Sequence, residues 1–246
     1  MRRPARACPC LLALWLLAAC AGTSQLPPQI AAQPQLAEAA RTPSVIDVYD
    51  PLEPFNRAIY DFNARFDRYL FLPVVRAYQF VTPDFVENRV SDFFDNIAEI
   101  TTFVNAVLQL KPETAGRAAT RFIVNTMFTA GVFDLAGARG VGQVTEDLGQ
   151  TLGRWGAGNG PFLVLPLFGP SNLRDATGRL GDTLLLSWLT PEPIADNPAY
   201  IVARFVLQPI DARSRIAFRY YQTGTPFEYD LVRLLYTEMR QLQIAN

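Results

Sequence analysis

The sequence predicts a predominantly α-helical domain, and three observations carry that prediction. Apolar residues recur at spacings of three and four over long stretches, and helix-start signals stand ahead of those stretches. No run of useful length alternates apolar with polar residues as a half-buried strand would. The 246 residues suit a single domain once a leader and a linker are set aside, and no internal repeat is found. Half of the residues are hydrophobic and 18% are charged, below the roughly 25% usual for soluble domains. Apolar side chains are therefore left over for the surface.

The leader carries the most specific signal. Arg2, Arg3 and Arg6 precede a short apolar run, Leu11 to Leu17, which is too short to span a bilayer. It ends Leu17-Ala18-Ala19-Cys20, a pattern resembling a bacterial lipobox, so residues 1–19 are expected to be a lipoprotein signal peptide and Cys20 the acylated residue. Cys8 and Cys10 fall inside the leader, which leaves Cys20 alone and excludes a disulfide framework. Ala21 after the cysteine resembles the outer-membrane sorting pattern. Residues 20–44, rich in Ala, Gln and Pro, read as the lipidated N-terminus and a disordered tether, and residues 45–246 as the folded domain.

Asp50-Pro51-Leu52-Glu53 reads as the start of the first helix, with Asp50 as its cap. Phe55, Ile59, Phe62, Phe66 and Tyr69 form its apolar stripe, Asn56, Arg57, Asp61, Asn63 and Asp67 its polar side, and Pro73 its end. Thr82-Pro83 introduces a longer helix with Val86, Val90, Phe93, Ile97, Ile100, Val104 and Val107 in a regular stripe, widened by Phe85, Phe94, Phe103 and Leu108. Its stripe suits either a protein core or a leaflet surface, and Phe85, Phe93, Phe94, Ile97 and Phe103 are assigned to these two settings jointly. Pro112 opens a third helix, running out near Thr129-Ala130-Gly131. Thr145 is expected to cap a brief helix and Ser171 a further one through Leu173, Leu180, Leu184 and Trp188. Another is expected from Pro198 to Tyr221, and Thr225-Pro226-Phe227-Glu228 reads as the capping box of the last.

One stretch, Glu146 to Asp175, fits none of these patterns. It is rich in glycine and holds an apolar run, Phe162 to Phe168, broken only by Pro166. Glycine admits positive φ and proline removes a donor, so the segment suits neither a helix nor a central strand. It must be buried, aimed at a ligand, or placed in a membrane.

Several function classes fall away. The chain has no histidine, which removes the commonest general base and metal ligand and every Ser-His or Cys-His dyad. The Gly156, Gly158 and Gly160 spacing fails as a phosphate loop: no strand precedes it, no lysine follows, and Pro161 lacks an amide proton. A lipase-like nucleophile motif is absent. With 22 basic and 23 acidic residues, and no basic cluster interleaved with aromatics, nucleic acid is not an expected partner. No cofactor, metal or catalytic residue is expected.

Four blocks in order, DPLEPFNRAIYDFN at 50–63, NTMFTAGVFDLA at 125–136, the 146–175 stretch, and Leu186-Ser-Trp-Leu189, resemble the MlaA/VacJ family of outer-membrane lipoproteins. That resemblance covers residues 45 to 240. It implies an all-α, ring-like single domain of amphipathic helices, lying in the inner leaflet of the outer membrane around a central amphipathic channel. It also implies removal of mislocalised phospholipid from the outer leaflet, a trimeric porin alongside, and delivery to a soluble periplasmic phospholipid carrier, with no catalysis. A porin-bound scaffold that moves no lipid shares the lipobox and the helices, and is the alternative.

On this reading Gly156, Gly158, Gly160, Pro161, Phe162, Leu163, Leu165, Pro166, Phe168 and Gly169 are candidates for a hinged wall or hairpin of the channel. Arg154, Asn159, Arg174 and Asp175 are candidates to meet a head group, although Arg174 and Asp175 equally suit a structural pair at a helix start. Phe55 and Asn56, beside the first helix start, are candidates for a seal against inner-leaflet lipid.

Overall fold

Pro73 does not end the first helix. In the computed structural model, which describes residues 48–246, α1 (Glu53–Phe66) runs into a π turn, π1 (Asp67–Phe71), and continues as α2 (Leu72–Val81). The signal peptide, Cys20 and the tether lie outside the described residues. Within the wider turn the Leu72 amide reaches back to the Asp67 carbonyl. Pro73 then falls in the first turn of α2, where a missing amide proton costs little.

α3 (Asp84–Leu108) and α4 (Pro112–Thr129) follow the expected spans, and α4 closes on Ala130 in the left-handed region at φ 54°. α5 (Leu135–Ala138) is short, and α6 (Leu148–Arg154) is capped by Asp147 rather than Thr145, through the Gln150 amide. β1 (Phe162–Leu165) and β2 (Gly169–Asn172) form an antiparallel hairpin, with Phe162 opposite Asn172 and Leu165 opposite Gly169. It is the only sheet among the described residues, in an otherwise helical fold. Its first strand is apolar at every position, so the sequence shows no alternation, yet burial alternates: Phe162 and Val164 are buried, Leu163 and Leu165 only partly. At the turn, Leu167 and Gly169 both take positive φ, 69° and 80°.

α7 (Leu173–Leu189) is capped by Asn172, not Ser171, through the Asp175 amide at 2.8 Å. The single helix expected over Pro198–Tyr221 is three pieces after the short α8 (Glu192–Ala195): α9 (Pro198–Val202), a second π turn π2 (Ala203–Leu207), and α10 (Gln208–Ser214). Pro209 follows π2 as Pro73 follows π1. The chain leaves α10 by wrapping around Arg213, which donates to the Ile216 and Phe218 carbonyls while pairing with Asp67 at 2.7 Å. α11 (Glu228–Ala245) ends the fold.

Neither expected capping box caps. The Asp50 carboxylate instead accepts from Asn56, Tyr229 and Arg233. Glu228 accepts from Tyr60 at 2.8 Å and Thr223 at 2.6 Å, and holds the loop ahead of α11 through the Tyr221 and Thr223 amides. In both cases a carboxylate shaped for a local role is taken by distant partners.

The packed elements close a circuit. α1 lies against β1, α2 against α10, α10 against α3, α3 against α7, and α7 against both strands of the hairpin, which returns to α1. α4 flanks α3, α6 sits between α3 and α7, and α11 lies on α6 and β2. The α6–α7 contact is backbone to backbone: a Cβ at Gly178 would stand 2.3 Å from the Gly149 nitrogen, so only glycine fits.

The polarity of this ring is inverted. On α1 the buried side chains include Asn56, Asn63 and, just beyond, Asp67, while Phe55, Phe62 and Tyr69 are exposed. α3 buries Asn96, Glu99, Thr102 and Asn105 and turns Phe85 (62% exposed), Phe103 and Val107 outward. Of the five residues left between core and leaflet, Phe94 alone is core, Phe93 and Ile97 are half-buried, and Phe85 and Phe103 face out. Leu173, Leu180, Leu184 and Trp188 of α7, and Phe205 and Val206 of π2, are outward as well. Among the described residues, buried polar or charged side chains outnumber buried apolar ones. No helix there is long and apolar enough to cross a membrane. Such helices present an apolar surface around a polar interior.

Candidate functional site

The apolar run of the glycine-rich stretch becomes the hairpin, and α1 holds it. Asn56 donates to the Phe162 carbonyl at 2.9 Å and takes the Val164 amide at 2.9 Å. Two helical turns on, Asn63 donates to the Leu165 carbonyl at 2.9 Å and takes the Leu167 amide at 2.8 Å. Each carboxamide thus stands in for a residue of a neighbouring strand, and the open edge of β1 is covered without a third strand. Behind β1, Phe162 and Val164 pack with Tyr60 and Tyr229. The rings of Tyr60 and Phe162 each meet Tyr229 edge to face. Burial raises the phenol pKa of Tyr60, Tyr221 and Tyr229, and pushes Tyr220 up to about 12, so these groups stay protonated donors.

The other candidates separate. Gly156, Gly160 and Gly169 take positive φ; Gly158 does not. The Pro161 carbonyl accepts the Leu173 amide, fixing the approach to α7. Pro166 and Phe168 are exposed at the hairpin tip. Phe55 is exposed beside the buried Asn56. Arg154 stands apart and exposed, whereas the half-buried Asn159 and the buried Arg174 and Asp175 form one network. Arg174 donates to Asp175 at 2.9 Å and to Asn159 at 2.7 Å.

Asp175 is the hub of that network. It also accepts from Asn172, from Tyr236 at 2.8 Å, and from Arg240, which simultaneously grips Asp147 at 2.8 Å. Burial alone would raise both carboxyl pKa values, but Arg240, with Gln150 at Asp147 and with Tyr236 and Arg174 at Asp175, outweighs it and holds them below the ordinary carboxylate range. One arginine between two carboxylates therefore ties α11 to α6 and α7.

This knot forms one wall of a cavity of ≈ 420 Å³. α3 contributes Ile97, Ala98 and Thr101; α7 contributes Arg179, Asp182, Thr183 and Leu186. Arg204 and Gln208 enter from π2 and α10, and Met239 from α11. Apolar and charged groups thus line one space, as an amphipathic ligand requires. Sequence reasoning missed Asn63, Arg179, Asp182, Arg204 and Arg240 as site residues. The signal for two of them was present: Arg179, Asp182, Thr183 and Leu186 recur at helical spacing on the side of α7 opposite Leu180 and Leu184.

A family model described as MlaA lipoprotein matches residues 48–243. The chain belongs to this family. The resemblance carried by the four sequence blocks is therefore correct. Among MlaA relatives, the "intermembrane phospholipid transport system lipoprotein MlaA" of Shigella flexneri is 38% identical over 174 residues, 68% of this chain and 66% of that one. The protein of the same description from Escherichia coli K12 matches to the same extent. An uncharacterized Rickettsia bellii protein is 43% identical over 133 residues, and the chain spans only about half the length of such relatives, 52% in this case. A solved structure described as "Structural basis for maintenance of bacterial outer membrane lipid asymmetry" superposes with a TM-score of 0.65 at 28% identity, covering 80% of this chain and all of that one.

Proposed function

We propose that this protein is an outer-membrane lipoprotein, anchored by acyl chains on Cys20 and lying in the inner leaflet. In this reading it removes mislocalised phospholipid from the outer leaflet through an amphipathic channel and passes it to a soluble periplasmic carrier, preserving lipid asymmetry. A trimeric porin is the expected neighbour. The observation that carries this reading is the inverted polarity: an apolar outer face around a cavity with charged and apolar walls. A phospholipid has two apolar chains and a charged head, and only a path with both kinds of wall accepts it. The names of the curated relatives support the same reading.

No energy is needed at this protein. Lipid enters from the leaflet where it is misplaced, and a downstream sink sets direction. The reading requires that inner-leaflet lipid be kept out, and α1 with the hairpin is the proposed seal. Deleting Phe55 and Asn56 rotates the following part of α1 by about 200° against its start. Asn63 then no longer meets Leu165 and Leu167, and the hairpin loses its lateral support. The expected result in cells is outward lipid leakage, seen as surface-exposed phospholipid and sensitivity to detergent. Normal surface lipid and normal detergent resistance in a mutant present at wild-type level would overturn the assignment.

A further inference from the structure

We infer that the cavity is built for a zwitterionic head group, with a phosphodiester held between Arg179 and Arg204 and an ammonium group received by Asp182. The inference rests on the lipid-transport reading and adds to it a preference among lipids.

The argument starts from which charges in the cavity are already matched. Arg240 is bracketed by Asp147 and Asp175, so these three offer a ligand little. Arg179 and Arg204 differ. Arg179 lies over the Phe168 ring at 5.1 Å, and Arg204, among the described residues, bonds only the Gln208 side-chain oxygen. Among the described residues, neither guanidinium has a carboxylate partner. Each guanidinium carries five donors in a planar fork, the geometry that matches phosphate oxygens. They approach from different elements, α7 and π2, so one phosphate between them would bridge the two sides of the cavity.

Asp182 supplies the opposite charge. It has no arginine or lysine partner among the described residues. The Asn105 side chain at 2.8 Å and the Leu148 amide at 2.9 Å fix its two oxygens, one each. Each oxygen keeps a lone pair for a further donor. Burial raises its pKa, so a ligand cation would relieve a real electrostatic cost.

The spacing joins the two halves. Arg179 and Asp182 stand three residues apart on one face of α7, with side-chain bases about 5–6 Å apart, yet form no pair with each other. A phosphate and an ammonium joined by a two-carbon link suit that separation. Ile97, Leu186 and Met239 offer apolar surface for the glycerol end and the first methylenes. A head group of glycerol and phosphate would leave Asp182 facing hydroxyls, and a bare phosphate would lie beside it uncompensated.

The test uses the full-length lipoprotein reconstituted in nanodiscs of equal phosphatidylethanolamine and phosphatidylglycerol, with bound lipid quantified by mass spectrometry after detergent extraction. Wild type is expected to enrich phosphatidylethanolamine. Asp182→Asn is expected to shift the bound ratio toward phosphatidylglycerol by about tenfold, or about 1.4 kcal/mol, and Asp182→Glu to retain the wild-type preference. Arg179→Gln combined with Arg204→Gln is expected to lower both lipids. An unchanged ratio in a folded Asp182→Asn protein overturns the inference and leaves the transport reading standing. Displacement of bound lipid by inorganic phosphate also overturns it, assigning the arginines to free phosphate. A wild-type protein that retains no phospholipid at all sinks both the inference and the transport reading.

Discussion

Around the hairpin, Tyr60, Phe162, Val164 and Tyr229 form a cluster any soluble domain could hold. Along α3 the interior is instead Asn96, Glu99, Thr102 and Asn105, with Glu99 gripped by Arg121 at 2.5 Å and only 1% exposed. The two regions bury surface for different reasons. At the hairpin, removal of aromatic area from water is the driving term. Along α3, the desolvated Glu99 is offset by Arg121, which also holds Asp134, and the apolar face is left outward. Burial raises the Glu99 pKa and Arg121 opposes that rise without cancelling it. The hairpin is therefore held by aromatic burial, and the inverted face by its ion pair.

The sharpest way to break this comparison is Arg121→Ala. It strands a buried carboxylate, and a loss of about 3–5 kcal/mol is expected in denaturant unfolding of the detergent-solubilised protein. A loss below about 1 kcal/mol would mean that water reaches Glu99 and that the polar interior is no interior. Asn63→Ala sharpens the hairpin side. It removes both bonds to the β1 edge, and a cost of about 1–3 kcal/mol is expected, with faster amide exchange at Leu167. Unaltered exchange there would show that the tyrosine cluster alone holds the strand. The smallest stability effect belongs to the outer face. Phe205→Ser should alter unfolding in detergent by no more than about 0.5 kcal/mol, while weakening partition into liposomes by about 1.5–3 kcal/mol. Equal partition of wild type and variant would remove π2 from the lipid-facing surface.

The helices were legible because a stripe at three-and-four spacing is a property of the chain itself. Which way the stripe points is not. Val86, Phe103 and Val107 make the same pattern whether they face a core or a leaflet, and only the buried Glu99 and Asn105 on the other side decide it. Pro73 reads as a helix end, yet a π turn absorbs it; the helix expected to Tyr221 runs through Pro209 but stops at Ser214, where the chain wraps around Arg213. Caps were misread where Asp50 and Glu228 serve partners far along the chain, Tyr229 and Tyr60 respectively. The candidate site was half legible: the apolar run and its glycines stand out by composition. Arg174 and Asp175 read equally as head-group contacts or as a structural pair at a helix start; they do pair, and Arg240, distant in sequence, completes their network. Arg179 and Asp182 were visible as residues and gained meaning only once their lack of ion pairs among the described residues was known.

The outward Phe85, Phe103, Phe205 and Trp188 also bear on how the chain reaches its fold. Collapse in water draws aromatic side chains together, yet the native ring keeps these apart on its rim, while Glu99, Arg121, Asp175 and Arg240 must find one another inside. In water the fastest contacts available to the chain are therefore the wrong ones, and exposed apolar surface of that kind invites aggregation.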